Sequence, residues 1–289
     1  MNYLLLEDVS LEKYNTLRIK SIAKLMVFPP NKKEIREICS KFDNKEIIPL
    51  GRGSNILLSR EYYGDEYLFF NLKLMDDIFI ENNRLFAQSG LSLQKLAWYA
   101  IENNIKGFEF LEDIPGTVGG AVIMNAGTHE GNIGQLIKIV IYFDIDENQI
   151  LEKEVTEEDF NIRTSIWDNN RVIILGCYFE LNYGDNITSL YKILELKKKR
   201  YKKQPRNYSS AGSVFKKRGR NEVSVWELID KVGLRGYKKN GAMISDKHPN
   251  FIVNIGNATY DDLKYLIDLC EEKVFNEFNV KLELEWKII

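Results

Sequence analysis

Residues 112–127 read EDIPGTVGGAVIMNAG. Pro115 fixes φ ahead of Gly116, and Gly119 and Gly120 follow closely, so the backbone here can approach something flat or charged. One use of such a loop is an anion nest for a pyrophosphate; the other is a close crossing of two backbones. The apolar AVIMNAG that follows reads as a strand.

A second glycine loop lies upstream in PLGRGSNILLS, residues 49–59. Gly51 and Gly53 follow a β-like run, which suits a tight turn that aims N–H groups at an anion. Three positions beyond Gly53 stands Ile56, so the third glycine of the dinucleotide fingerprint is missing, and no lysine follows in Walker spacing. A Rossmann or P-loop site is therefore not expected, and GRGSN alone is equally a turn between two strands. Two such loops in one half of the chain favour a dinucleotide cofactor.

The 289 residues are 44% apolar and 28% charged with a net charge of -2, an ordinary globular balance with no field to steer it to polyanions. No nucleic-acid partner is expected. The N-terminal MNYLLLEDVSLEKYN has too short an apolar run for a secretory signal, and no run approaches the roughly 20 residues that span a bilayer. These features point to a cytoplasmic protein without a membrane partner. Cys39, Cys177 and Cys270 are far apart and set in apolar patterns, as reduced core thiols are. His129 and His248 are the only histidines, which leaves no basis for a metal site or a histidine triad.

Coarse periodicity divides the chain into three blocks of mixed character, an α+β protein. In the first, LMVFPP is extended and NKKEIREICSKF is a helix, opened by Asn31 and Glu34 in capping-box spacing, with Ile35, Ile38, Cys39 and Phe42 on one face. EIIPL and NILLS then flank the glycine turn. The second is strand-rich, with EYLFFNLK, DDIFIEN, RLFAQSG, a hairpin turning at Asp146–Asn148, and RVIILGCYFEL. LSLQKLAWYAIENN among them is helical. The third follows a basic helix ending in LYKILELKKKRYKKQPR, whose run from Lys197 to Arg206 reads as a solvated helix end. Two amphipathic helices, at about 223–232 and 259–275, complete that block.

Taken in order, YNTLRI, GRGSNILL, GFEFLEDIPGTVGGAVIMNAG, IRTS, AGSVFKK, WELIDKVGLRGYKKNGAMISDKHPNFIVN and VKLELEW resemble the UDP-N-acetylenolpyruvoylglucosamine reductase family over nearly the whole chain. The resemblance implies a vanillyl-alcohol-oxidase (PCMH)-type FAD-binding domain in two subdomains, 1–70 and 71–188, and a C-terminal α+β substrate-binding domain, 189–289. It implies the shorter form of the enzyme, without an extra insertion, acting as a monomer on a nucleotide sugar. FAD is then expected against Asn15, Thr16 and Leu17, against Gly51, Arg52, Gly53, Ser54 and Asn55, and against Ile114, Pro115, Gly116, Thr117, Gly119 and Gly120 with Asn125, Ala126 and Gly127.

By the same resemblance NADPH reduces the flavin and the hydride passes to the enolpyruvyl methylene carbon. Arg163 matches the arginine that polarises the substrate carboxylate, Ser213 the proton donor and Glu285 the last member of the catalytic set. Lys216, with Arg163, is expected to bind substrate. A guanidinium fork suits a carboxylate, and a well-placed hydroxyl suffices to protonate a basic enol carbon. Pattern alone says less: Glu285 and Glu283 fall on the wet face of a strand, Ser213 in a turn, and Arg163 in a surface pair.

Some positions depart from the family. Asp113 stands where glycine usually precedes IPG; Lys217, Arg218 and Gly219 replace the usual asparagine-proline after FK; Ile162 replaces tyrosine, and Asn240 glycine. Another flavin oxidoreductase of this fold, or a flavin- or nucleotide-sugar-binding protein without turnover, are the alternative readings.

Overall fold

The structure, a computed structural model, describes residues 3–168, 170–217, 219 and 222–289. Arg218, one of the departures from the family pattern, lies outside the described residues. Two compact units are each assembled from separate stretches of chain. The first comprises Met1–Val9, Ala23–Arg52 and Gly64–Lys198, and the second Ser10–Ile22, Gly53–Tyr63 and Lys199–Ile289.

In the first unit one sheet has the order Leu4–Ser10, Ile22–Phe28, Tyr67–Phe70, Glu46–Pro49, with Tyr67–Phe70 parallel to both of its neighbours. Parallel strands need a crossover, and helix α1 (Lys32–Lys41) supplies it. Ile35, Ile38 and Cys39 of α1 pack with Val27, Leu68, Phe70, Phe143 and Ile173 in one apolar cluster. The expected capping box does not form: Asn31 Oδ1 accepts from Lys33 N at 2.9 Å rather than from Glu34.

The other sheet of this unit is antiparallel, ordered Gln149–Glu154, Ile137–Asp144, Val172–Glu180, Arg84–Gln88, Ile78–Glu81. Helix α2 (Leu93–Glu102) buries Leu93, Leu96, Ala97, Ala100 and Ile101, the stripe its periodicity dictates. AVIMNAG is not a strand. It belongs to helix α3 (Val118–Ile123), where Val118, Ala121 and Val122 turn inward and Thr117 caps the first turn. A short apolar run has no period that separates a buried strand from a buried helix, and here the cap decides. Helix α4 (Asn186–Lys203) stops before Pro205, which cannot continue a helix.

In the second unit helix α5 (Val225–Lys231) and helix α6 (Tyr260–Phe278) accompany a small antiparallel sheet, Lys238–Lys239, Ala242–Ile244 and Ile252–Asn254. Thr259 and Asp262 close a capping box on α6, and Leu263, Leu266, Ile267, Cys270 and Val274 face its core. Ile56–Leu57 pairs in parallel with Lys287–Ile288. The two runs around GRGSN therefore enter different sheets and form no hairpin. Burial pushes the Cys39 and Cys270 thiols up to about 12 and Cys177 higher still, so all three unpaired cysteines are inert. Among the described residues no helix is long and apolar enough to cross a membrane.

Asn15 is 2% exposed and closes the loop that begins this unit. Its Nδ2 donates to Leu11 O at 2.8 Å and Ile19 O at 3.0 Å, and its Oδ1 accepts from Ile19 N at 2.9 Å. Asn15→Ala removes partners from three buried backbone groups and should lower the unfolding free energy by about 2–4 kcal/mol. Urea titration reads this directly; a loss under about 0.5 kcal/mol would mean that the loop closes without the amide.

Candidate active site

In the first unit the glycine-rich loop is hung from the antiparallel sheet. Strand Val172–Glu180 carries a bulge between Ile174 and Gly176, which frees the Leu175 carbonyl to accept from Ser89 N at 2.9 Å. Ser89 O accepts in turn from Gly119 N at 2.9 Å, and a Cβ on Gly119 would stand 1.9 Å from Ser89 Oγ. Gly119 thus serves backbone packing. Gly51 lies against the same loop, since a Cβ there would meet Thr117 Oγ1 at 2.7 Å, and Asn71 Nδ2 donates to Gly51 O at 3.4 Å.

Gly120 differs: it is exposed, and the nearest atom to a Cβ would be Thr117 Oγ1 at an ordinary 3.6 Å. Among the described residues no neighbour requires glycine at this position. Bare backbone here fits the close approach of a flat or anionic cofactor, the property that the sequence motif implies.

Arg163 sits in this unit at the tip of a two-residue hairpin loop between Phe160–Asn161 and Thr164–Ser165, with φ +57°. A left-handed arginine is strained and persists because its surroundings hold it. Arg163 Nη2 donates to Gly127 O at 2.9 Å, Asn125 Nδ2 to Asn161 O at 2.9 Å and Ser165 Oγ to Ile123 O at 3.1 Å. Asn125 Oδ1 also accepts from Gly134 N at 3.2 Å. The segment Asn125–Gly127, expected against the cofactor, therefore fastens the guanidinium hairpin. Asn125 spends its amide within the protein, and Ala126 spends both backbone groups, donating to Ala121 O and accepting from Ile133 N at 2.9 Å each.

In the second unit Gly53, φ +62°, lies so close to Tyr14 that a Cβ would be 2.1 Å from its carbonyl oxygen. Thr16 N donates to Gly53 O at 3.0 Å. Leu17 is fully buried, and its carbonyl accepts from Asn254 Nδ2 at 2.8 Å. Asn55 Nδ2 donates to Glu285 O at 3.0 Å, and Lys287 N to Asn55 O at 3.0 Å. Within this unit the loop residues Gly53–Asn55 are thereby tied to Asn15–Thr16 on one side and to Glu285 on the other.

The segment that follows Ser213 and the segment of Glu285, remote in sequence, are joined by backbone pairing. Glu285 N donates to Val214 O and Lys216 N to Glu283 O, both at 2.7 Å, around a bridge between Phe215 and Leu284. The regular strand expected around Glu285 is reduced to this bridge and the short Lys287–Ile288. Glu283 and Glu285 also part company. The Glu283 side chain is 72% exposed and pairs with Lys216 Nζ, whereas Glu285 is half-buried. The Ser213 hydroxyl is half-buried and has no hydrogen-bond partner among the described residues.

Two buried carboxylates precede the Pro115 loop, and no sequence signal marks them. Glu109 accepts from Ser189 Oγ at 2.6 Å and from Gly107 N, with Lys192 Nζ 3.5 Å away. Glu112 Oε1 takes Lys197 Nζ at 2.8 Å and both Gln94 Nε2 and Trp98 Nε1 at 3.2 Å. Lys197 is thus not simply part of a solvated helix end; it neutralises a carboxylate beside the loop. Burial pushes both carboxyls up, but the donors outweigh it and hold each below the ordinary glutamate value of 4.5.

Residues 204–289 match the model for the C-terminal domain of UDP-N-acetylenolpyruvoylglucosamine reductase, and residues 23–145 match an FAD binding domain. The UDP-N-acetylenolpyruvoylglucosamine reductase of Thermosipho melanesiensis is 38% identical over 94% of this chain and 91% of its own length. The Francisella tularensis protein of that name is 34% identical over 98% and 99%. The crystal structure of UDP-N-acetylenolpyruvylglucosamine reductase from Thermus caldophilus superposes with a TM-score of 0.81 at 28% identity, covering 100% of this chain and 99% of that one.

A carboxyl with a depressed folded pKa contributes its stability in full above the unfolded value of 4.5 and loses it as pH falls through the folded one. Glu112→Gln should therefore flatten the acid limb of a plot of urea midpoint against pH. An acid limb identical to that of the wild type would show that Glu112 carries no ionised share of the stability.

Proposed function

Because the chain belongs to the UDP-N-acetylenolpyruvoylglucosamine reductase family, we propose that Arg163, Ser213 and Glu285 carry its reaction on the enolpyruvyl group. The protein is a flavoenzyme that reduces UDP-N-acetylglucosamine enolpyruvate to UDP-N-acetylmuramate for peptidoglycan synthesis, with FAD as cofactor and NADPH as reductant. When bound, FAD relays a hydride from NADPH to the enolpyruvyl methylene carbon. The rest falls to the protein.

Hydride addition to one alkene carbon leaves negative charge on the neighbouring carbon and its carboxylate. Arg163 offers a planar, permanently charged fork to that carboxylate, and its strained hairpin restricts where the guanidinium points. Ser213 delivers the proton that completes the reduction, so that one hydride and one proton add across the double bond. Glu285 lies on the strand paired beside Val214 and hydrogen-bonds to the developing charge. The observation that carries this reading is the backbone pairing of Val214 with Glu285, which brings the serine segment and the final glutamate of the motif set together within one unit.

The cofactor is assigned to Asn15–Leu17, Gly51–Asn55, Ile114–Gly120 and Asn125–Gly127, as the family resemblance implies. Support comes from Gly120, whose missing side chain no neighbour among the described residues explains. Lys216 is assigned to substrate, where it would exchange Glu283 for an anionic group. The reading keeps the subdomains 1–70 and 71–188 and the substrate-binding domain 189–289. It includes a cytoplasmic site of action, in keeping with three unpaired thiols.

Stopped-flow absorbance of the flavin separates the two half-reactions. Arg163→Ala, Glu285→Gln and Ser213→Ala should each remain yellow and accept hydride from NADPH at the wild-type rate. Reoxidation by the enolpyruvyl substrate should slow by roughly 10²- to 10³-fold in each. Wild-type reoxidation in any one variant would remove that residue from its assigned role.

A further inference from the structure

On the N-terminal side of Ser213 the chain is fixed at Ser209, whose carbonyl accepts from Asn254 N at 2.9 Å, and Gly212 N donates to Ser210 Oγ at 3.2 Å. Gly212 has φ +81°, and among the described residues nothing lies within 4 Å of where its Cβ would be. From its C-terminal side Ser213 is held by Val214 to Lys216. One edge of that short stretch pairs with Glu283–Glu285. Among the described residues the other edge has no strand beside it.

A single side chain takes the place of that strand. Val214 N donates to the backbone carbonyl of Asn250 at 2.9 Å, Phe215 N donates to Asn250 Oδ1 at 3.1 Å, and Asn250 Nδ2 donates to Phe215 O at 2.9 Å. The carboxamide has the donor and acceptor of a peptide group and meets both polar groups of Phe215, which is 1% exposed. An aspartate would turn an anion toward the Phe215 carbonyl, and an apolar residue would leave two buried peptide groups unpaired.

Asn250 is itself fixed by a closed turn. Ser245, fully buried, accepts from Lys247 N at 3.1 Å and His248 N at 3.2 Å through its hydroxyl. Ser245 N donates to Phe251 O at 2.8 Å and Phe251 N to His248 O at 2.9 Å. Within this turn Pro249 restricts the backbone next to the asparagine. The stretch SDKHPN thus ends in an amide aimed at the serine-bearing segment.

We propose that Asn250 is the positioning residue of the proton donor, fixing the Ser213–Lys216 segment through both peptide groups of Phe215. Its amide is occupied at both ends and 7% exposed, so it acts through Ser213 and not on the substrate. The proposal rests on the assignment of Ser213 as donor. A hydroxyl displaced by about 1 Å loses on the order of 100-fold in rate, which sets the size of the effect.

The test uses the FAD-loaded enzyme and the same two half-reactions. Asn250→Ala should be reduced by NADPH within about twofold of wild type and reoxidised by the enolpyruvyl substrate roughly 30- to 100-fold more slowly. The solvent deuterium isotope effect on reoxidation should rise as proton delivery limits the rate. In a Ser213→Ala background, adding Asn250→Ala should slow reoxidation no further, because the two act in one pathway. If Asn250→Ala does not fold, Asn250→Asp keeps the shape and the acceptor for Phe215 N and faces the same readouts. Full-speed reoxidation, equal slowing of both half-reactions, or an undiminished further loss in the Ser213→Ala background would each overturn the proposal. Ser213→Ala with wild-type reoxidation would overturn the donor assignment and this proposal with it. Slow Ser213→Ala beside a full-speed Asn250 variant would overturn this proposal alone.

Discussion

Backbone that must stay irregular still has to satisfy its N–H and C=O groups, and in this protein asparagines, four of them buried and Asn254 half-buried, do so. Asn15 closes the loop 11–19, Asn71 holds Gly51, Asn125 holds the Arg163 hairpin, Asn250 holds Phe215, and Asn254 holds Leu17. A helix or strand would satisfy those groups through its own ladder, but it would also commit the segment to a regular path. The carboxamide supplies the same donor and acceptor without a second strand. Glycine loops and a left-handed arginine can then persist at defined positions.

Electrostatics supports the same arrangement from behind. Glu109 and Glu112 lie just ahead of Pro115, each nearly removed from solvent and each matched with a lysine of α4. A buried carboxylate is costly alone and tolerable when cationic and neutral donors converge on it. The bulge at Leu175 adds a second restraint, passing through Ser89 to Gly119. The path of the loop is thus set by groups that need not touch a ligand.

Much of the architecture was legible in the pattern. The stripe Leu93, Leu96, Ala97, Ala100, Ile101 and the Thr259 start of α6 follow from helical period and cap chemistry, and strands such as Tyr67–Phe70, Arg84–Gln88 and Val172–Glu180 from runs of β-branched and aromatic residues. AVIMNAG misled because so short an apolar run carries no distinguishing period, and Asn31 with Glu34 misled because cap spacing permits two hydrogen-bond choices. The site was legible chiefly through the ordered motifs, which no single local rule would have assembled. Asn250, Asn254, Glu112 and Lys197 stayed hidden, since their partners are distant in sequence and a lone polar residue has no periodicity.

The chain by itself determined the α+β class, the two glycine loops and the family, because these reside in residue type and order. Only the tertiary structure decided which of two neighbouring glutamates is half-buried beside the serine segment and which is a surface partner of Lys216. Only it revealed that Gly119 serves packing while Gly120 does not. The reason is physical: period and propensity are local, whereas the burial of a carboxylate, the pairing of a peptide group and the space around a missing Cβ are set by atoms far away in the chain.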